Sequence, residues 1–219
     1  MRRFEFVVDR AHAMSANEIM ADVRRLRVVA LVSAIGLGAV AALLISIGHP
    51  WSFIIAVVLA IGSATALWVA IWAPRRVGSV EKLYAESALV PAMIAETRAD
   101  GVTLLALIDI GKPAGKYALV AKNVRRLPGH PVETGERVPA VSVVLDRTAR
   151  AAGDTWQVVN PMPIAWGTAD TAVIEDARNA IVESEWALVA AHLELVAKVR
   201  KNANHRLLLE NKDLPDHLR

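Results

Sequence analysis

Cysteine is absent from the 219 residues of this chain, which excludes disulfides, thiolate metal sites and a cysteine nucleophile. Aromatic residues are scarce, with three Phe and two Tyr beside six Trp. Charge is missing altogether from two stretches, 28–48 and 52–72, each 21 residues long. Neither holds Asp, Glu, Lys, Arg, Asn or Gln, and neither contains an internal proline. Transporters and proton pumps place ionisable groups or broken helices at mid-membrane, so a transport pathway through these stretches is excluded.

What the two stretches do contain is Val, Ile, Leu and Ala. About 20 apolar residues at ~1.5 Å rise cross the ~30 Å hydrocarbon core, so each stretch is long enough to span a bilayer. Only His49-Pro50-Trp51 separates them, which predicts a tight reversal and a transmembrane helical hairpin. Twenty-seven residues precede the first stretch and a second follows it, a pattern that does not match a secretory signal. Arg24, Arg25 and Arg27 lie before the hairpin and Arg75 and Arg76 after it, while the connection carries no Lys or Arg. Positive flanks stay inside, so both termini are expected in the cytoplasm of a cell-membrane protein. Trp51 falls at the outer interface and Trp68 and Trp72 at the inner one, where amphipathic rings settle. Ser15-Ala16-Asn17-Glu18 has the capping-box pattern, which predicts a helix starting near Ala16 and running unbroken into the membrane.

Small residues recur every fourth position in both stretches: Ala30, Ala34, Gly38, Ala42 and Ser46, then Ser52, Ala56, Ala60 and Ala64. Such ladders let helix backbones approach closely in lipid. They predict a packing seam within the hairpin or toward a partner's helix.

The formal net charge of +3 does not signal nucleic acid. Before the first stretch six arginines face four acidic residues, and the remaining 19 basic and 18 acidic residues nearly cancel. The basic excess is therefore mainly topological and lipid-facing.

The layout divides into a cytoplasmic N-terminal segment (1–27), the hairpin (28–73), an α+β domain (74–200) and a charged tail (201–219). Residues 79–98 show a helical pattern through Leu83, Val90 and Ile94, with Pro91 as a kink. Residues 102–110, 116–127, 138–147 and 155–159 are rich in Val, Leu and Ile and punctuated by Gly and Pro, which predicts strands. Together these predict a small curved sheet or an OB/SH3-like barrel covered by helices. Asn160-Pro161-Met162-Pro163 is expected to lie outside any sheet. Beyond it, Val173, Ile174, Ala177 and Ile181, then Trp186, Val189, Leu193 and Val196, repeat at helical spacing, with Thr168 or Asp170 as the cap. The tail is expected to be a short docking helix or disordered.

Signals for chemistry are few. Gly111 to Tyr117 has the wrong glycine spacing for a phosphate loop and reads as a hairpin turn. No two of the six histidines sit at metal-ligand spacing, and His130, between Gly129 and Pro131, reads as a solvated turn residue. Glu183 and Glu185 are two apart and cannot pair on a helix. No catalytic residue, metal or cofactor is assigned. The remaining cluster is Lys116, Tyr117, Lys122 and Arg125, a basic strand that either binds an anion or partner or is simply a solvated edge. Tyr117 is the sole aromatic across the first of these strands, 102–110, 116–127 and 138–147, too little to stack bases, so nucleic acid is not an expected partner.

The segment Val158-Val159-Asn160-Pro161-Met162-Pro163-Ile164-Ala165-Trp166-Gly167-Thr168, with the two spans and an Ala/Val/Arg-rich style, resembles an uncharacterised family of small membrane proteins of corynebacteria and related actinobacteria. The resemblance carries over no catalytic residue. The expectation is a non-enzymatic membrane protein, an accessory or scaffold subunit meeting the lipid bilayer and other membrane proteins or itself. The alternative is a cytoplasmic-face module sensing a nucleotide or lipid headgroup through strand 116–126.

Overall fold

A computed structural model describes residues 2–77, 79–144 and 153–218. The chain forms two units: Met1–Glu18 together with Val80–Arg219, and Ile19–Ser79.

The larger unit is built on a six-stranded antiparallel sheet. Its strands are β1 (Ala88–Arg98), β2 (Gly101–Asp109), β3 (Tyr117–Val124), β4 (Arg137–Val144), β5 (Val159–Pro163) and β6 (Arg206–Leu208). Their order is β5-β4-β1-β2-β3-β6, and the sheet curls into a half-barrel that brings β5 near β3. A bulge between Ile94 and Glu96 interrupts the β1–β2 register and bends the long strand shared by both halves. Ile94, Leu104, Leu105, Ile108, Leu119, Val120 and Met162 are fully buried. Burying a large aliphatic side chain contributes about 1.5–3 kcal/mol, so this row dominates the stability of the unit.

Two expectations fail here for one reason. The helix expected over 79–98 covers only α4 (Val80–Glu86), and the rest is β1. The segment expected to avoid the sheet, Asn160 to Pro163, is β5, whereas Thr155 makes only an isolated bridge to Gly111. In both places proline sits where no ladder donor is needed. Pro91 lies directly opposite Pro139. Two residues without N–H cannot form a hydrogen-bonded pair, so each nitrogen faces away from the other strand. On those outer sides the β1–β2 ladder starts one residue later, at Ala92, and the β4–β5 ladder at Ala140. β5 is an edge strand, the ordinary place for Pro161 and Pro163. The apolar run of β1 is buried on both faces, and such a run has no strand period to distinguish it from helix. The last residues of the expected 138–147 strand fall partly outside the described residues.

Helices α5 (Thr171–Asn179), α6 (Glu183–Ala191) and α7 (Val196–Lys201) follow β5. Asp170 caps α5 by accepting from the Ala172 N–H at 2.9 Å. Ile174, Ala177, Ile181, Trp186, Val189 and Val196 are buried, so the two apolar series do face the core. The C-terminal residues add β6 beside β3 and then short turns, with Leu214 buried.

The N-terminal residues fold into the same unit. Helix α1 (Arg10–Ala16) is capped by Asp9, and the Asp9 N–H donates to Gly167 O at 2.9 Å. Phe6 packs edge-on against Tyr84, centroids 5.0 Å apart. The helix expected to run unbroken from Ala16 is broken at Asn17, whose backbone is extended, and α2 (Glu18–Ile47) starts afresh. The expected capping box does not form. Ser15 donates to His12 O, and the Glu18 carboxylate instead accepts from the Arg125 and Arg126 N–H groups at 2.5 and 3.0 Å.

The smaller unit is most of α2 with α3 (Pro50–Val77), both long and apolar enough to cross a membrane. Their 30 and 28 residues correspond to about 45 and 42 Å. Gly48 takes a left-handed conformation (φ 72°) just before α3. The helices touch where Ser63 Oγ donates to Ala34 O at 2.7 Å. A Cβ on Gly38 would lie 3.3 Å from Ser63 Oγ, and one on Gly62 3.3 Å from Leu37.

Candidate functional site

Both ends of the chain converge on one cavity of about 230 Å³ in the larger unit. β1 supplies Pro91, β2 Asp109, β3 Tyr117 and α6 Glu185, while Arg2 and His217 arrive from the two termini. Arg2 donates to Glu185 from both terminal nitrogens, at 2.9 and 3.4 Å, and its carbonyl accepts from the Leu89 N–H at 2.8 Å. His217 Nε2 lies 3.1 Å from the same carboxylate. Glu185 is buried, and an ionised carboxylate there requires these donors, since an unpaired buried charge is costly. Asp109 is equally committed, accepting from the N–H groups of Gly111 and Gly115 at 2.9 Å and of Lys116 at 3.2 Å. Burial, with Asp109 and Glu185 nearby, pushes the Tyr117 phenol up. The carboxylates that a general acid or base would need are spent on holding the chain together. The cavity is a clasp joining the termini through Glu185.

The basic strand does not act as one patch. Lys116 is paired with Asp154, whose carboxyl it holds below the usual range. Tyr117 turns into the clasp cavity, opposite Asp109 in the ladder. Lys122 lies six residues from Lys116, about 20 Å along the strand, beside a separate cavity. Arg125 is exposed just past the end of β3. Along the apolar helices, Ala30, Ala34, Ala41, Ala56 and Ala70 are buried and Gly38 is in contact, whereas Ala42, Ser46, Ala60 and Ala64 face outward and Ser52 is half-buried. Steps of four advance 400°, so a strict four-step ladder winds off the seam, while the spacing 30, 34, 37, 41 stays on it.

A second polar centre escaped sequence reasoning. His130 is buried, not a solvated turn residue, and its Nδ1 lies 2.9 Å from Glu136 Oε1. Arg178 donates to that oxygen at 3.0 Å and to Glu175 at 3.0 Å. The partners are up to 48 residues apart in sequence, and nothing local announces the pairing. The same holds for Arg2 with Glu185, 183 residues apart. Glu183, two residues from Glu185, instead pairs with Arg137, whose guanidinium holds it below the usual carboxylate range. Among the described residues no three His, Asp or Glu side chains gather as metal ligands.

Residues 75–197 match the model of a family described as "Protein of unknown function (DUF3239)". Among solved structures, "a putative membrane protein from Corynebacterium diphtheriae" is similar, with 34% identity and a TM-score of 0.50. The similarity covers 55% of this chain and 99% of that chain. The comparison with curated proteins gives no match. The family description states no activity, and the description of the similar structure, "putative membrane protein", is in keeping with the two apolar helices of this chain.

Proposed function

The chain belongs to the DUF3239 family, and we propose that it is a two-span cell-membrane protein acting as an accessory or scaffold subunit of a larger membrane complex. One observation carries the reading. The residues before the helix pair and the residues after it fold into a single unit. Arg2, Asp9 and Glu18 bond to Glu185, Gly167 and the Arg125–Arg126 backbone. A compact unit cannot lie on both sides of a bilayer. Two spanning helices whose flanks join it must therefore leave and return on the same side, as a hairpin. The arginines at 24, 25, 27, 75 and 76 favour the cytoplasmic side.

The domain supports an assembly role over a catalytic one, because the carboxylates of its two polar centres, Glu185 and Glu136, are engaged by Arg and His partners. Strand β1 pairs with both β2 and β4, with β5 beyond β4. We read the order of the first five strands as that of an OB-like barrel left open, with β6 added beside β3, an architecture suited to binding along an open face. On the apolar helices, Ala42 and Ser46 of α2 and Ala60 and Ala64 of α3 face outward, small residues that let a partner's transmembrane helix or a second copy approach closely. Purification in mild detergent with light scattering tests this. A stoichiometric partner or a defined homo-oligomer is expected, and elution as a lone monomer overturns the scaffold reading.

A further inference from the structure

We propose that the cavity where the half-barrel opens between β3 and β5 binds the phosphate group of a small anion or a lipid headgroup. It measures about 210 Å³ and is lined by Lys122 and Asn123 from β3, Asn160 from β5, Arg200 from α7, and Asn204 and His205 from the following turn. No lining residue is acidic. Ligand pockets for drug-sized molecules start near ~300 Å³, so this one fits a charged group and not a whole nucleotide. Lys122, a half-buried residue, has no ion-pair partner among the described residues, and the polar residues that line the cavity with it are Arg200, His205 and three asparagines. Arg200 spends one terminal nitrogen on Glu96 at 2.9 Å and retains its other donors. A cationic pocket of this kind, with amide donors around it, recognises an anion of compact, high charge.

The turn that closes the cavity is held in an unusual conformation. Asn204 and His205 are consecutive left-handed residues, at φ 58° and 50°, and neither is glycine. Such residues persist where surrounding contacts over-determine them, and they cluster at ligand sites. Here Asn204 Nδ2 donates to Gln157 Oε1 at 3.3 Å and His205 Nδ1–H donates to Arg200 O at 2.7 Å. The turn is thereby tied to Gln157 and to the Arg200 backbone, and both of its residues line the cavity together with Lys122. This site is independent of the scaffold reading. It also concentrates anion binding at one end of the basic strand, with Lys116 tied elsewhere by Asp154.

The test uses the full chain in neutral detergent, titrated calorimetrically with inorganic phosphate at constant ionic strength. Lys122→Gln removes one charge-assisted bond and is expected to weaken binding about tenfold or more, while Lys122→Arg stays within about threefold. Asn160→Asp, equal in size but anionic, is expected to weaken it about tenfold as well. In nanodiscs, phosphatidic acid is compared with phosphatidylglycerol at matched charge. Displacement of phosphate by phosphatidic acid identifies the headgroup as the source, and its failure to compete identifies free phosphate. The proposal is overturned if folded wild-type protein binds neither phosphate nor phosphatidic acid. It is also overturned if Lys122→Gln and Asn160→Asp, each with an unchanged melting temperature, bind as tightly as wild type.

Discussion

Replacing Gly167 with alanine adds one methyl group at the point where the N-terminal segment meets the domain. Gly167 has φ −96° and ψ −23°, a conformation open to any residue, so alanine meets no backbone penalty. The demand for glycine at this position is therefore steric, not conformational. A Cβ there would lie 2.8 Å from Tyr84 Cε2 and 2.9 Å from Phe6 Cζ. Tyr84 cannot easily yield, because its ring is buried and its hydroxyl donates to Pro163 O at 2.8 Å. Phe6 yields instead, with loss of its edge contact to Tyr84 and of the Asp9 N–H bond to Gly167 O. Overpacking of this kind costs about 1–3 kcal/mol, in line with about 1 kcal/mol for the hydrogen bond and 0.5–1.5 for the aromatic pair. At about 2–4 °C per kcal/mol for a domain of this size, the melting temperature falls by several degrees. Hydrogen exchange locates the loss. The amides of Asp9, Ala13 and Asn17, all bonded in the native segment, are expected to lose protection while the β2–β3 ladder keeps it. Unchanged melting and unchanged protection at those three amides would refute the argument.

Glu185→Ala leaves Arg2 and His217 without their shared carboxylate and is expected to cost about 1–3 kcal/mol, measured by thermal melting, with trypsin then cutting faster near both termini. Both tyrosines resist ionisation, Tyr84 through burial and Tyr117 through burial with two carboxylates nearby. A phenol whose pKa is raised on folding contributes stability below its unfolded value near 10 that is lost as pH rises above it. Melting temperatures are therefore expected to fall above about pH 10, and ultraviolet titration, with only two tyrosines to follow, should show phenolate appearing with unfolding. Asp154 and Glu183 have lowered carboxyl pKa values from Lys116 and Arg137. Their pairs are fully formed above the ordinary carboxylate range and lost as pH falls through their folded pKa. Lys116→Gln is thus expected to differ from wild type by less in acid than at neutral pH, a small and salt-sensitive difference because the pair is exposed.

The apolar helices were legible because twenty uncharged residues have few other fates, and most strands because Val, Leu and Ile runs end at Gly and Pro. β1 and β5 were not, since proline reads as a breaker until the ladder shows which strand edge its missing N–H faces. The clasp and the His130–Glu136–Arg178 centre depend on pairs brought together only by the fold. No spacing rule encodes the contact of Arg2 with Glu185. The basic strand was visible as composition, but which lysine remained unpaired was decided by Asp154, 38 residues away.

Because the chain has no cysteine of its own, single cysteines report topology without background. Arg3→Cys, His49→Cys and Glu133→Cys place a thiol in the N-terminal segment, at the connection between the helices, and on an exposed loop of the domain. A membrane-impermeant maleimide applied to intact cells is expected to label position 49 alone, with positions 3 and 133 reacting only after permeabilisation. Labelling of 3 and 133 from opposite sides of the membrane would contradict the single unit that closes the hairpin.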